Sequence, residues 1–175
     1  ELEPNQYQVV KDLLESNGKT VGYLTGFSVY NQLGLTTQVS NAIQVGKNEV
    51  RPKFKRDRYT ITFIRQKNTI TKENIPLLQL LDAMRYIKKI PDATIASSCK
   101  RLIAIIKEFS EQDRDTVVRL AMKYPPATRA LLGALLEYTG DGMILKLLGS
   151  LNPISKYKLK GVLDVLPNAI KWNIV

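Results

Sequence analysis

The sequence predicts an α+β fold, with a small antiparallel or mixed sheet in the N-terminal half and helices in the C-terminal half. Two patterns lead to this class. Apolar and polar residues alternate over 59–65, which is the period of a strand with one buried face. From residue 75 onward, apolar residues recur every three or four positions, as on one face of a helix. The 175 residues suit a single domain, with a mixed part over 1–70 and a helical part over 71–175.

The N-terminal half is expected to contain one helix and several short extended segments. The helix covers 6–17, is capped by Asn5 and ends at Asn17-Gly18. The other expected elements are an extended piece over 20–24, a helical turn from Gly26 to Gly34, and strands over 42–46 and 59–65. We expect the two strands to pair antiparallel across the basic loop that joins them.

The C-terminal half is expected to consist of helices separated by caps and prolines. Ser110 followed by Asp113 resembles a capping box, and Pro126 suits the first turn of a helix. The expected helices run from 75 to the break at Ile90-Pro91, over 95–109, from Ser110 to Tyr124, over 126–138 and briefly over 143–148. A tail that is first basic and then apolar follows over 152–175.

The composition excludes most catalytic arrangements. Without histidine, no imidazole base or histidine metal ligand is available. Gly18-Lys19-Thr20 resembles the end of a phosphate-binding loop, but Leu13 stands where that loop needs glycine. No acid is followed two positions later by lysine, as metal-dependent nucleases often require. We therefore expect no catalytic residue, no metal site and no cofactor, although an enzyme acting on nucleic acid or nucleotides stays the alternative.

The cysteine content and the length of the apolar runs indicate where in the cell the protein is expected. The one cysteine, Cys99, cannot form an internal disulfide, which is typical of a reducing compartment. It lies on an apolar helical stripe, so we expect a buried, inert thiol. The apolar runs are shorter than a bilayer span. These features predict a cytoplasmic protein with no membrane partner.

The charge is the most informative part of the composition. Lys and Arg number 26 against 16 acids, which gives a formal net charge of +10. Such a surface favours anionic partners, above all nucleic acid. Cations are densest between residues 47 and 67, where Phe54 and Tyr59 are interleaved with them. The predicted nucleic-acid-binding residues are Lys47, Arg51, Lys53, Lys55, Arg56, Arg58 and Arg65.

This basic segment is expected to contact the phosphate backbone of DNA more than its sequence, with an aromatic ring stacking on a base. Two other interpretations stay open. The segment could serve an acidic protein partner, or it could be a solvated hairpin loop whose Phe54 packs on the core.

Residues 22–39 read GYLTGFSVYNQLGLTTQV and resemble the hallmark segment of AbiEi-like antitoxins. Val29 stands where alanine is commoner in that family. The runs over 73–83 and 124–133 also resemble the helical part of these proteins. The motif residues are Thr25, Gly26, Ser28, Tyr30, Asn31, Leu33, Gly34, Leu35, Thr36 and Thr37.

The resemblance implies an antitoxin of a bacterial type IV toxin–antitoxin system, of the kind found in abortive-infection loci. Family members usually carry an N-terminal winged helix that binds promoter DNA and represses transcription, followed by a domain like this one. Their toxin is usually a nucleotidyltransferase-like protein, which is counteracted without a stable complex. Because no winged helix precedes Glu1, we expect this chain to be the C-terminal domain of a longer transcriptional regulator.

The motif residues suggest a short helix with specific ends. Its glycines are expected at the two ends, where a backbone conformation that excludes a Cβ is common. Thr25 and Ser28 are expected to cap the helix, and Thr36 or Thr37 to satisfy backbone groups at its far end. Alternatively, the helix N-terminus at Gly26 forms an anion site together with Thr25 and Ser28.

Overall fold

The structure is a computed structural model that describes residues 5–140 and 144–175. It confirms the α+β class, because the strands lie in the N-terminal half and most helices in the C-terminal half. The described α-helices are α1 (Gln6–Leu14), α2 (Ile75–Arg85), α3 (Ile95–Lys107), α4 (Glu111–Ala121), α5 (Pro126–Tyr138) and α6 (Ile144–Gly149). The strands are β1 (Glu15–Ser16), β2 (Lys19–Thr20), β3 (Gly22–Thr25), β4 (Ala42–Lys47), β5 (Phe54–Arg56) and β6 (Tyr59–Arg65). Short 3-10 helices cover Gly26–Ser28, Ile87–Lys89, Val162–Asp164 and Pro167–Trp172.

The main sheet has four strands in the order β3-β4-β6-β5. β3 is antiparallel to β4 and β5 is antiparallel to β6, but β4 and β6 are parallel. The predicted antiparallel pairing of β4 with β6 was therefore wrong. The reason is β5, which was expected to be loop. The chain leaving β4 passes beyond β6 to form this edge strand and turns back at Asp57-Arg58, so that β6 runs in the same direction as β4.

Asn17-Gly18 is the turn of a small hairpin, so its predicted role as the end of the first helix was wrong. α1 ends at Leu14, and β1 pairs antiparallel with β2 around these two residues. Their φ angles are 52° and 76°, as a two-residue hairpin turn of type I′ requires. The predicted cap is confirmed, since the Tyr7 amide donates to Asn5 Oδ1 over 3.0 Å.

The predicted capping box at the start of α4 is also confirmed. The Asp113 amide donates to Ser110 Oγ over 3.1 Å, and the Ser110 amide donates to Asp113 Oδ2 over 3.3 Å. Thr94 and Ser97 form a second capping box at the start of α3. These reciprocal bonds satisfy amides that a helix start would otherwise leave free.

The end of α2 differs slightly from the prediction. α2 ends at Arg85, and the 3-10 helix over Ile87–Lys89 carries the chain to the expected break before Pro91. α6 begins at Ile144, within the range expected for a short helix. The expected first residue of that helix, Met143, and part of the turn before it lie outside the described residues.

Two apolar clusters form the core, and the N-terminal half contributes to both. In the smaller one, α1 packs on one face of the sheet through Val10, Leu13, Leu14, Ile43, Val45, Tyr59 and Ile61. The larger one combines α2 to α5 with the tail, and it also includes Tyr23, Tyr30 and Leu35. The segment around β3 therefore joins the sheet to the helices.

Candidate nucleic-acid interface

The predicted cations are spread from the end of β4 through β5 to the end of β6 and do not converge on one point. In the strand register Lys47 pairs with Arg65 at one end, and Arg56 pairs with Tyr59 at the hairpin turn. β6 has seven residues and therefore spans about 20 Å, from a rise of about 3.3 Å per residue. Phosphates on one DNA strand advance by about 3.4 Å along the helix axis, so the length over which these cations are spread corresponds to several phosphates.

The pleat of the sheet divides these cations between two faces. Lys47, Arg56 and Arg65 share the face that packs on α1, whereas Lys55 lies on the opposite face. The cations thus surround the sheet edge instead of forming one flat patch. The loop before β5 and the turn after it carry Arg51, Lys53 and Arg58.

Arg56 is anchored to α1. Its guanidinium donates to both carboxylate oxygens of Asp12, over 2.6 and 2.8 Å, and to Val9 O over 2.9 Å. The hydrogen bond from Arg56 is the main cause that lowers the pKa of Asp12 below its ordinary value. This contact fixes the β5–β6 hairpin to the helix, so Arg56 has a structural partner besides any phosphate.

The aromatic residues of the basic segment are covered by protein. The rings of Phe54 and Phe63 stack at 6.1 Å between centroids, and Arg51 lies over Phe54 at 4.3 Å. Arg56 also approaches the Phe54 ring, at 5.2 Å. Arg58 lies over Tyr59 and donates to its hydroxyl over 3.1 Å. Phe54 therefore packs on its own sheet, and the planar guanidinium of Arg51 is the outer layer of the stack.

Thr25 and Ser28, the expected helix caps, form other bonds. Thr25 is buried, and its hydroxyl donates to Asp82 over 2.6 Å. Ser28 Oγ accepts the Gln44 amide of the neighbouring strand over 3.1 Å. Their expected capping role was therefore wrong, and the helix at Gly26 is a single 3-10 turn of three residues with no side-chain cap. With Thr25 committed to Asp82, these residues do not form an anion site.

The remaining motif residues hold the turn in place. Gly26 has a φ of 56°, and a Cβ there would lie 1.8 Å from Gln44 Oε1. The Thr36 hydroxyl donates to Pro91 O over 2.6 Å and accepts the Gln38 amide over 3.2 Å. Neither group belongs to the helix at Gly26–Ser28, so Thr36 does not satisfy the end of that helix as expected. Tyr30 and Leu35 are buried, and Thr37 is exposed. The Asn31 side chain donates to Thr36 O, and the Leu33 carbonyl accepts from Arg101. Gly34 has a positive φ.

Asp82 was not predicted from the sequence, yet it is the centre of a buried hydrogen-bond network. This carboxylate is 1% exposed and accepts from the hydroxyls of Tyr23, Thr25 and Tyr124, each over 2.6 Å. Gln66 Nε2 donates to both tyrosine hydroxyls, over 2.9 and 2.8 Å. Burial raises the pKa of Asp82, against the opposing effect of these hydrogen bonds. An acid inside the apolar run from 77 to 84 was the signal that could have identified it.

The cysteine and the acids of the described residues are among the groups to which the sequence expectations refer. Cys99 is buried, as expected, and burial raises the pKa of its thiol to about 11, which keeps it protonated. Over residues 5–140 and 144–175, no group of acids and cysteine is placed to hold a metal ion. None of the helices within these ranges has the length and apolarity needed to cross a bilayer.

No model of a protein family matches the chain, and neither a curated protein nor a solved structure matches it. The resemblance to AbiEi-like antitoxins therefore stays a prediction that rests on the motif residues.

Proposed function

We propose that this chain is a non-catalytic, nucleic-acid-binding domain of an AbiEi-like antitoxin and transcriptional regulator. The observation that supports nucleic acid is the group of exposed cations on β6, the β5–β6 hairpin and the loop before it, on a chain with a net charge of +10. The motif over 22–39 supports the antitoxin family. Binding proceeds mainly through phosphate contacts, because the described part of this region presents strands and a turn and no helix suited to a major groove.

Lys53 and Lys55 are the cations best placed to contact phosphates. Both side chains are exposed, and among the described residues neither forms an ion pair. Their only acidic neighbours between residues 47 and 67 are Glu49 and Asp57. Arg56 is a poor test residue, because its removal also breaks the contact with Asp12.

The test is fluorescence anisotropy of the chain with the promoter duplex of its own operon, titrated across salt. We expect a steep salt dependence, since each phosphate contact contributes about 0.9 to the slope of log K against log salt. The double variant Lys53→Ala/Lys55→Ala should lower that slope by about 1 to 2. A scrambled duplex of equal length separates backbone binding from sequence preference.

The matched control is Lys100→Ala/Lys107→Ala, which removes the same charge from exposed positions on α3. We expect it to leave the slope nearly unchanged. Equal loss of slope in both double variants would mean that net charge alone attracts DNA. An absence of binding at low salt would contradict the nucleic-acid part of the proposal.

The antitoxin part is tested separately by growth. Co-expression of the chain with the nucleotidyltransferase-like toxin encoded next to it should relieve growth arrest, without co-elution of the two proteins in gel filtration. Growth arrest that persists while the soluble chain accumulates would contradict this part, whatever the DNA titration gives.

A further inference from the structure

A cavity in the helical part lies apart from the basic hairpin. Its volume is about 320 Å³, and it is bounded by residues 84–88, the first two turns of α5, residues 157–159 and Ile174. Small-molecule sites typically measure roughly 300–1,000 Å³. The wall is held by backbone pairing, since the Tyr157 amide donates to Asn173 O and the Val175 amide donates to Tyr157 O, both over 2.8 Å.

The cavity combines an apolar floor with a cationic mouth. Three exposed cations border it, Arg85 and Lys88 around the end of α2 and Lys158 from the tail, and its lining in the described chain includes no acid. Charge of one sign around an apolar recess favours an anion that also has an apolar part. The buried apolar side chains of the lining are Met84, Ile87, Leu131, Leu159 and Ile174.

One further feature favours an anion at this mouth. Ala127 and Thr128, in the first turn of the 13-residue helix α5, line the cavity, and a helix N-terminus carries partial positive charge.

We propose that this cavity binds a free medium-chain aliphatic carboxylate. The hydrocarbon chain lies on the methionine, leucine and isoleucine floor, where it leaves water. The carboxylate lies among Arg85, Lys88 and Lys158. An aliphatic chain suits the floor better than a flat aromatic ring, because the buried floor residues are flexible or branched aliphatic side chains.

The test is isothermal titration calorimetry of the chain with octanoate and, separately, with 1-octanol. The two molecules share the apolar chain, but only octanoate carries a charge. We expect one octanoate per chain and binding of 1-octanol that is weaker by about fivefold or more, because the alcohol gains nothing from the cations. Equal affinity for the two molecules, or no binding of octanoate up to its solubility limit, would overturn the proposal.

Two neighbouring lysines provide a matched pair of variants. Lys158→Ala should weaken octanoate binding by about two- to fivefold, as the loss of one exposed ion pair does. Lys160→Ala removes the same charge from an exposed position on the same segment that does not line the cavity, and should leave binding unchanged. Equal effects of the two variants would overturn the assignment of the carboxylate to this mouth.

A third variant fills the cavity. Ala127 is exposed and lines the mouth, so Ala127→Phe brings a ring into the recess and should weaken octanoate binding by about tenfold or more. A thermal melt checks that this variant is folded. If it is not, the lysine pair still decides the proposal. Unchanged octanoate binding in a folded Ala127→Phe would place the ligand elsewhere.

Discussion

In the hydrogen-bond network around Asp82, the donor and the acceptor of each bond are determined by the neighbouring groups. Gln66 Nε2 donates to the hydroxyl oxygens of Tyr23 and Tyr124, so the hydroxyl protons of both tyrosines are directed to the carboxylate. Gln66 Oε1 in turn accepts from the amide and the side chain of Asn68. A buried network in which each member has its partner favours one arrangement of the surrounding chain. Since these residues come from β3, α2, the segment after β6 and the turn after α4, the network ties the sheet to the helices.

The pKa of Asp82 gives a pH prediction with a definite sign. Burial raises it above the ordinary value of 3.8, so the folded state holds this proton more tightly than the unfolded state. The stabilisation from that proton is complete below the ordinary pKa and is lost as pH rises through the raised pKa. We therefore expect the unfolding free energy of the natural chain to fall, relative to Asp82→Asn, as pH rises from 3.8. Urea denaturation of both proteins across a pH series measures this difference.

Asp12 provides the control, because its pKa is shifted the other way. Arg56 lowers it, so its contribution to stability is present above the ordinary pKa and is lost as pH falls. Relative to Asp12→Asn, the natural chain should therefore gain stability as pH rises. Parallel pH profiles for the two variants would contradict the burial argument for Asp82.

Two glycines in helices should respond oppositely to alanine. A Cβ at Gly133 of α5 would lie 2.2 Å from the ring of Trp172, which packs against this helix from the tail. We expect Gly133→Ala to lower the unfolding free energy by about 1–3 kcal/mol through overpacking, despite the better helix propensity of alanine. A Cβ at Gly149 of α6 would meet nothing within 4 Å, so Gly149→Ala should be neutral or stabilise by up to about 1 kcal/mol.

Urea denaturation of the two glycine variants checks this contrast. A stabilised Gly133→Ala would mean that Trp172 is not seated against α5.

At the scale of the elements, the helices could be predicted and the strand pairing could not. Apolar spacing and caps depend on neighbouring residues, and so the sequence predicts α3 over 95–109 close to its bounds of Ile95–Lys107. Strand pairing depends on where the chain goes between strands. β5 has three residues, Phe54–Arg56, too few for an alternating pattern to reveal. Missing this strand reversed the predicted direction of β6 relative to β4.

In the candidate site, too, some features could be predicted from the sequence and others could not. The local density of lysine and arginine in the sequence predicts the cationic segment, and Lys53 and Lys55 are exposed on it in the structure. The pairing of Arg56 with Asp12 spans 44 positions and has no local signature. The cavity near Tyr157 was not predicted either, because its walls come from four separate parts of the chain that only the fold brings together.

At the scale of the whole molecule, the boundary between the mixed and helical parts of the chain does not coincide with the boundary between the two apolar clusters of the core. Tyr23 lies in β3, yet its side chain belongs to the larger, helical cluster and contacts Gly46 of β4 closely enough that a Cβ there would lie 2.4 Å from the ring. Tyr30 and Leu35 of the motif join the same cluster. The motif therefore connects the sheet to the helices, and we call it the joint between the two halves. This structural role explains its glycines and its buried threonine without a ligand.

This joint leads us to expect a single cooperative unfolding transition. If β3 cannot separate from α2 without exposing Tyr23 and Asp82, opening the sheet costs nearly as much free energy as unfolding the whole chain. Trp172 is the only tryptophan and reports on the helical part, while amide hydrogen exchange of β4 reports on the sheet. We expect the slowest β4 amides to exchange with the free energy that Trp172 fluorescence gives for global unfolding in urea. Exchange of β4 at a clearly lower free energy would mean that the mixed part opens alone, and that the motif is a hinge between two units instead of a joint within one.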